Sequence, residues 1–493
     1  MELHITKFKV LSSLLWKLME RGGVQGIQFI VMIVLARMLL PNDFGLIVLV
    51  TVFISMAGII TQGGFNLALI QKKKVDEVDF SSVFYLNLFI AFTLYMLLFF
   101  TAPYIASFFE QPQLKLILRI LALTLFISSF SAIQNSIISR EFQFKKLFIS
   151  TLIASILAGI VGITMASANY GVWALVGFQL TNQLLVTIIL WFNIKWRPKF
   201  LFSFKRIKIL FSFGWKLLVS SLVDAIDLNI RNLLIGKLFS PALLGFYNRG
   251  EQFPNLLVNN INGAIQAVMF PALSSHQDDQ HRVKQMVRRA IVTSSFIIFP
   301  MMVGLAVTAE PLVKILLTEK WLPAVPFIQI FCICYALWPI HTANLQAINA
   351  LGRSDIFLKL EIIKKLMSII LLIASIPLGV YAVAISLVIG GVLASFINAY
   401  PNAKLLNYSI REQMNDVMPS LLIAIVMGSV IYTIHWLPVS SSITIIAQVF
   451  VGIVLYIGLA AIFRLECYSY LLVTIKQLLE SRKNIQLKGY EKA

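Results

Sequence analysis

The sequence predicts an all-α integral membrane protein with fourteen transmembrane helices, arranged as two pseudo-symmetric six-helix lobes around a central cavity plus two C-terminal helices. Three observations carry this prediction. Of the 493 residues, 59% are hydrophobic and 13% charged, with a mean hydropathy of +0.85. The apolar residues gather into fourteen runs, and the basic residues alternate in step with them. Soluble domains hold about 45–50% apolar and about 25% charged residues, so the excess here requires lipid as its surroundings. A cytosolic enzyme is excluded on that ground.

A helix rises about 1.5 Å per residue and the hydrocarbon core is about 30 Å thick, so a span needs about 20 mainly apolar residues. The runs lie at 13–38, 44–70, 80–102, 114–139, 147–167, 171–192, 209–236, 244–271, 287–308, 325–350, 357–375, 379–400, 417–436 and 442–463. The expected domains are an N-terminal lobe over 1–200, a C-terminal lobe over 201–410, two extra spans over 411–464 and a basic cytoplasmic tail over 465–493. The first run contains Lys17, Glu20 and Arg21 and has no small-residue cleavage site, so it reads as a retained helix rather than a signal peptide. The tail from Tyr468 to Lys483 mixes apolar and basic residues and is expected to lie along the membrane surface.

Orientation follows from charge. With the N-terminus in the cytoplasm, 30 of the 41 Lys and Arg residues fall in cytoplasmic segments, three (Lys237, Lys314 and Lys320) in outer loops, and the rest in or at the ends of spans. A wrong number of spans would scramble that alternation, so the count supports fourteen spans with both termini cytoplasmic. The net charge of +19 is therefore a matter of orientation and anionic headgroups, not of nucleic acid. Cys332, Cys334 and Cys467 make no disulfide framework, and the five histidines form no zinc spacing. No P-loop or nucleophile constellation is present, so neither an enzyme nor an ATPase is expected, and no cofactor.

The first and seventh spans share a pattern. Trp16-Lys17-Leu18 matches Trp215-Lys216-Leu217, and Arg37, Pro41 and Gly45 match Lys237, Pro241 and Gly245. Six spans separate the two copies, which implies two parallel six-helix bundles, a design used by transporters.

Charges inside spans are costly and tend to face a bundle interior or water. Lys17, Arg21, Gln25 and Gln28 share one face of the first span, with Glu20 alongside. Snorkelling of Lys17 and Arg21 to the headgroups is the structural alternative. In the seventh span Lys216, Ser220, Asp224, Asp227 and Arg231 repeat the design. Asp227 and Arg231 stand one turn apart, as a structural ion pair would; Asp224 has no cation at helical spacing on its own helix and is the stronger coupling or gating candidate. Arg249 and Glu251 sit in the outer half of the eighth span. The substrate-binding candidates are thus Lys17, Arg21, Gln25, Arg231 and Arg249. The coupling or gating candidates are Asp224, Asp227, Glu20 and Glu251. His341 reads as a hydrogen-bonded core residue, and Trp191, Trp196, Trp215, Trp321 and Trp436 as interfacial anchors.

The runs LARMLLPNDFG (35–45), GGFNLALIQKK (63–73), REFQFKKL (140–147), FGWKLL (213–218), LLGFYNRGEQFP (243–254), MFPALSSHQDD (269–279), EKWLPAVPFIQI (319–330) and ALGRSDI (350–356) resemble the polysaccharide transporter family. This is the O-antigen and exopolysaccharide flippase group, and the likeness is to members of the colanic-acid-exporter type. It covers about residues 10 to 410 with modest motifs in a consistent order. The resemblance implies the multidrug/oligosaccharidyl-lipid/polysaccharide exporter superfamily: a V-shaped cavity and alternating access. It also implies a polyprenyl-pyrophosphate-linked oligosaccharide as substrate, moved to the periplasmic leaflet of a bacterial inner membrane. Arg21 matches, by placement, the cavity arginines of related flippases. Membrane lipids, and polysaccharide polymerase machinery as a protein partner, follow from the same reading, with the chain itself monomeric. A Na⁺ or H⁺ gradient would drive transport, since no nucleotide site is present. A cation-coupled multidrug exporter of the same superfamily is the alternative; it favours an acidic or aromatic cavity over a cationic stripe.

Overall fold

The computed structural model describes residues 12, 15–17, 19–470, 472, 473 and 477, and their side chains except at Arg21, Ala264, Ala267 and Val268. Most of the expected surface tail, 468–483, lies outside the described residues, as does most of the basic tail, 465–493. Among the described residues the chain is helical, with no strands. It divides into two compact units, residues 1–248 and 249–493.

The first unit opens with a π-turn, Glu20–Val24, leading into α1 (Gln25–Met38). Pro41 then starts α2 (Pro41–Gln62): its fixed φ suits the first helical position, and the Asp43 carboxylate accepts from the Leu40 N–H at 3.0 Å. Gly63 and Gly64, at φ 52° and 71°, stop α2 and turn the chain into the short α3 (Phe65–Gln71). Asp76 and Asp79 form a reciprocal capping box that starts α4 (Glu77–Phe108). The fourth expected span is two helices, α5 (Gln113–Leu121) and α6 (Leu123–Glu141), broken at Ala122. Next come α7 (Phe144–Ser167), α8 (Val172–Asn193) and α9 (Phe204–Leu238). The α7 face made of Ala154, Ala158, Gly159 and Gly162 is small, which brings Val31 of α1 and Phe178 of α8 into contact with its backbone.

The unit boundary falls within α10 (Pro241–Ser274). In the second unit follow α11 (Gln280–Leu316), a 3₁₀ turn, and then α12 (Val325–Ala336) and α13 (Trp338–Ala350). The tenth expected span is thus broken at Leu337, where Pro339 cannot donate to the preceding turn. The chain continues through α14 (Ser354–Ser375), α15 (Val380–Leu405), α16 (Ile410–Thr433) and α17 (Ser441–Ile462). Ser409 and Glu412 cap α16 reciprocally. Val283, Val287, Ile291, Ile340, Ala424 and Tyr456 belong to its core.

Among the described residues, twelve helical segments are long and apolar enough to cross a membrane. The eighth and eleventh expected spans fall on α10 and α14, which are not among the twelve; α14 carries Lys359, Glu361, Lys364 and Lys365. Large apolar side chains point outward all along these helices, such as Phe89, Phe100 and Tyr104 on α4 and Ile446 and Phe450 on α17. Only lipid can cover so much exposed apolar surface. The chain is a multi-pass membrane protein.

Candidate functional site

In the first unit the polar stripe begins before α1. Lys17 Nζ lies 2.8 Å from the Glu20 carboxylate and 5.4 Å from the centre of the Phe144 ring, so these two candidates are joined to each other. The side chain of Arg21 lies outside the described residues. The π-turn over Glu20–Val24 lies between Lys17 and the α-helix of Gln25 and Gln28, so Lys17 does not share one continuous α-helical face with them. Gln25 is exposed. Gln28 instead donates to Ser155 Oγ, which donates to Asn182 Oδ1, both at 3.3 Å, and this chain ties α1 to α7 and α8.

Helix α9 carries two exposed faces side by side. Lys216, Ser220 and Asp224 are exposed and Asp227 half-buried along one; Val219, Val223 and Ile226 are exposed along the neighbouring one. A lysine, a serine and an aspartate at successive turns are too costly to turn toward hydrocarbon, whereas the valine and isoleucine face suits it. The border between water and lipid therefore runs along this helix. Below these positions Arg231 is only 8% exposed and is enclosed by protein.

The two repeat motifs meet one another. A Cβ on Gly45 would stand 1.7 Å from the Pro241 carbonyl oxygen, and a Cβ on Gly245 would stand 2.2 Å from that of Pro41. The starts of α2 and α10 thus cross through their matching glycines. At the other end of α2, Gly64 approaches Gly214 of α9 so closely that a Cβ would stand 2.3 Å from its carbonyl oxygen.

In the second unit Arg249 is buried: it donates to Gln252 Oε1 and sits 5.9 Å from the centre of the Trp321 ring. Trp321, expected as an interfacial anchor, is fully buried instead. Glu251 accepts from the Tyr335 hydroxyl at 2.9 Å. His341 lies 3.2 Å from Asn398 Nδ2 and 3.4 Å from Ser395 Oγ, in keeping with a core histidine. Nearby, Asn344 and Gln413 exchange two amide hydrogen bonds of 2.9 and 3.2 Å, joining α13 to α16. Spacing within one helix gave no sign of that pairing.

Sequence reading also missed a charged cluster that ties helix ends together. Arg288 of α11 reaches both Asp416 of α16 at 3.0 Å and Glu466 beyond α17 at 2.7 Å, while the Tyr408 hydroxyl donates to Asp416 at 2.7 Å. Among the described residues no group of three His, Cys, Asp or Glu side chains could hold a metal ion.

A long helical membrane chain with a water–lipid border on one helix and paired repeat motifs belongs to the class of lipid-embedded carrier folds. The particular family is given by its sequence: residues 34–326 match the polysaccharide biosynthesis protein family, and the chain belongs to it. It is 26% identical over 355 residues to the teichuronic acid biosynthesis protein TuaB of Bacillus subtilis, covering 71% of this chain and 73% of that one. It is 24% identical over 395 residues to the lipopolysaccharide biosynthesis protein WzxC of Escherichia coli, covering 79% of each. Its fold is similar to that of the lipid II flippase MurJ in an inward closed conformation, with a TM-score of 0.74 at 17% identity, over 91% of this chain and 98% of that one. An inward-facing multidrug resistance MATE transporter is also similar, with a TM-score of 0.59 at 15% identity, over 78% of this chain and 94% of the transporter.

Proposed function

We propose that the protein is a flippase that carries polyprenyl-pyrophosphate-linked oligosaccharide from the cytoplasmic to the periplasmic leaflet by alternating access, for synthesis of a surface polysaccharide. The observation that carries this reading is the pair of adjacent faces on α9. A lipid-linked sugar has a charged, hydrated head and an apolar tail, and it needs a path with water on one side and lipid on the other. Lys216, Ser220 and Asp224 beside Val219, Val223 and Ile226 offer such a border. The names of the relatives, which concern teichuronic acid and lipopolysaccharide, and the MurJ-like fold support the same substrate class.

In this reading Arg21 contacts the pyrophosphate, because a planar guanidinium donates two parallel hydrogen bonds and keeps its charge when partly desolvated. The Lys17–Glu20 pair lies at the start of the same helical segment and tunes that charge. Asp224 and Asp227 couple the cycle to a Na⁺ or H⁺ gradient, and fourteen spans in two six-helix lobes plus two carry the motion. The multidrug exporter reading has the MATE-like fold in its favour, but it does not account for the cationic residues at the start of the first span.

The test is transport of a labelled polyprenyl-pyrophosphate oligosaccharide in proteoliposomes. Arg21→Ala is expected to lower the rate by about tenfold or more, the worth of one charge-assisted hydrogen bond, with protein abundance unchanged. Loss of the protein itself would make Arg21 structural, and an unchanged rate would remove it from the site. Asp224→Asn should abolish the response to an imposed ion gradient; a retained response would exclude Asp224 from coupling.

A further inference from the structure

The connection between α8 and α9 is a strap without regular structure, residues 194–203. Two buried serines of α4 pin its backbone: the Lys199 N–H donates to Ser81 Oγ at 3.1 Å, and the Ser203 N–H donates to Ser82 Oγ at 2.9 Å. Between the pins the Leu201 N–H turns back to the Lys199 carbonyl at 2.7 Å, and the short bulge so formed points its side chains outward. Phe200 is 98% exposed, Leu201 and Phe202 are exposed, and Phe204 just beyond is 77% exposed. A free loop would fold such side chains away from water, but a pinned one cannot. These aromatics therefore require an apolar layer outside the protein. Lys195, Arg197, Lys199, Lys205 and Lys208 flank them, the combination that sits at a membrane surface with apolar groups in the acyl boundary and cations among the headgroups.

Beside the strap opens a cavity of about 510 Å³, within the range of small-molecule sites of about 300–1,000 Å³. Arg140 lines it, with Nη1 donating to the carbonyls of Leu69, Ile70 and Lys72 and Nη2 to that of Lys73, and adds positive charge. The two carboxylates in the wall each accept one hydrogen bond, Glu77 from the Trp196 indole at 3.2 Å and Glu141 from Gln143. The two lysines keep donors to spare. Lys146 uses one proton on the Asn193 carbonyl at 3.2 Å, and Lys195 is exposed, with no hydrogen bond or ion pair among the described residues. Three cations, Arg140, Lys146 and Lys195, against the two carboxylates leave the cavity with an excess of positive charge, and it lies next to the apolar strap.

We propose that this cavity binds the phosphodiester headgroup of an anionic phospholipid, held by Lys146 and Lys195, while Phe200, Leu201 and Phe202 insert beside its acyl chains as a fixed anchor. The site lies on the lysine-rich side of the membrane and is separate from the polar face of α9. It does not rest on the transport reading, because bound lipid is detected without transport.

The test is native mass spectrometry of the full-length protein released from vesicles made of phosphatidylglycerol and phosphatidylcholine in equal parts. The wild type should retain phosphatidylglycerol in preference to phosphatidylcholine. Lys146→Gln with Lys195→Gln should lower that retention about tenfold, as loss of a charge-assisted hydrogen bond does. Lys205→Gln with Lys208→Gln, outside the cavity, should leave it unchanged. Both lysines of the cavity are exposed, so the double variant should keep the thermal midpoint of the wild type. Lys195→Glu provides a second, charge-reversed reading of the same contact, and it too should lower retention. Equal retention of the two lipids would overturn the proposal, as would equal loss in both double variants, which would make the attraction diffuse. Preferential retention of a polyprenyl pyrophosphate added in competition would also overturn it, assigning the cavity to the transported lipid.

Discussion

Gly45 and Gly245 show how a single side chain would change the molecule. The Cβ of Gly45→Val would overlap the Pro241 carbonyl oxygen, and backbone cannot swing aside as a side chain does, so the starts of α2 and α10 must part. Overpacking of this kind costs about 1–3 kcal/mol, and thermal unfolding of the purified protein should show a lowered midpoint. An unchanged midpoint would mean that the crossing does not bear on stability. Gly26 is the converse: nothing lies within 4 Å of a Cβ there, and it is in a helix. Gly26→Ala should raise the midpoint, since alanine in a helix interior gains about 0.5–1 kcal/mol over glycine. The sequence marked Pro41, Gly45, Pro241 and Gly245 as copies of one motif but gave no sign that the copies touch, because spacing reports periodicity and not contact. Trp321 illustrates the same gap. A tryptophan near the end of an apolar run reads the same whether it faces the membrane interface or, as here, is buried beneath Arg249.

At the scale of elements, hydrophobic periodicity located the helices, and the irregular joints departed from it. Pro339 lies just past the break between α12 and α13, whereas no proline or glycine marks the one at Ala122. The π-turn at Glu20–Val24 interrupts the register of an unbroken α-helix assumed for the first stripe, and Gln28 joins Ser155 of α7. Contacts between distant helices stayed hidden for a similar reason: Arg288, Asp416 and Glu466 are far apart in the chain, and spacing within one span says nothing of their meeting. The Arg288 guanidinium beside Glu466 holds that carboxyl below its ordinary value of 4.5. A carboxyl with a depressed folded-state pKa contributes stability that is complete above its unfolded value. That contribution is lost as pH falls through the folded value. The thermal midpoint should therefore drop as pH falls below about 4.5, and Glu466→Gln should lower the midpoint at neutral pH while flattening that acid dependence. An identical acid profile in the variant would show that the Arg288–Glu466 contact adds nothing to stability.

For the whole molecule, the class was legible because it depends on sums. Composition, run length and the side on which lysine and arginine fall are averages over hundreds of residues, and lipid acts on all of them alike. The site was less legible because it depends on single side chains. Lys17 and Glu20 pair with each other, Arg231 and Arg249 are enclosed by protein, and the exposed polar face of α9 retains Lys216, Ser220 and Asp224. The proposed activity is movement of a lipid-linked sugar across a bilayer. The most direct test is the leaflet distribution of polyprenyl-linked oligosaccharide in cells lacking the protein, read with a membrane-impermeant sugar-modifying probe, with and without the wild-type gene and in a strain with no second flippase for that sugar. Accumulation on the cytoplasmic leaflet that the wild-type gene reverses is the predicted result; an unchanged distribution would contradict the proposed activity.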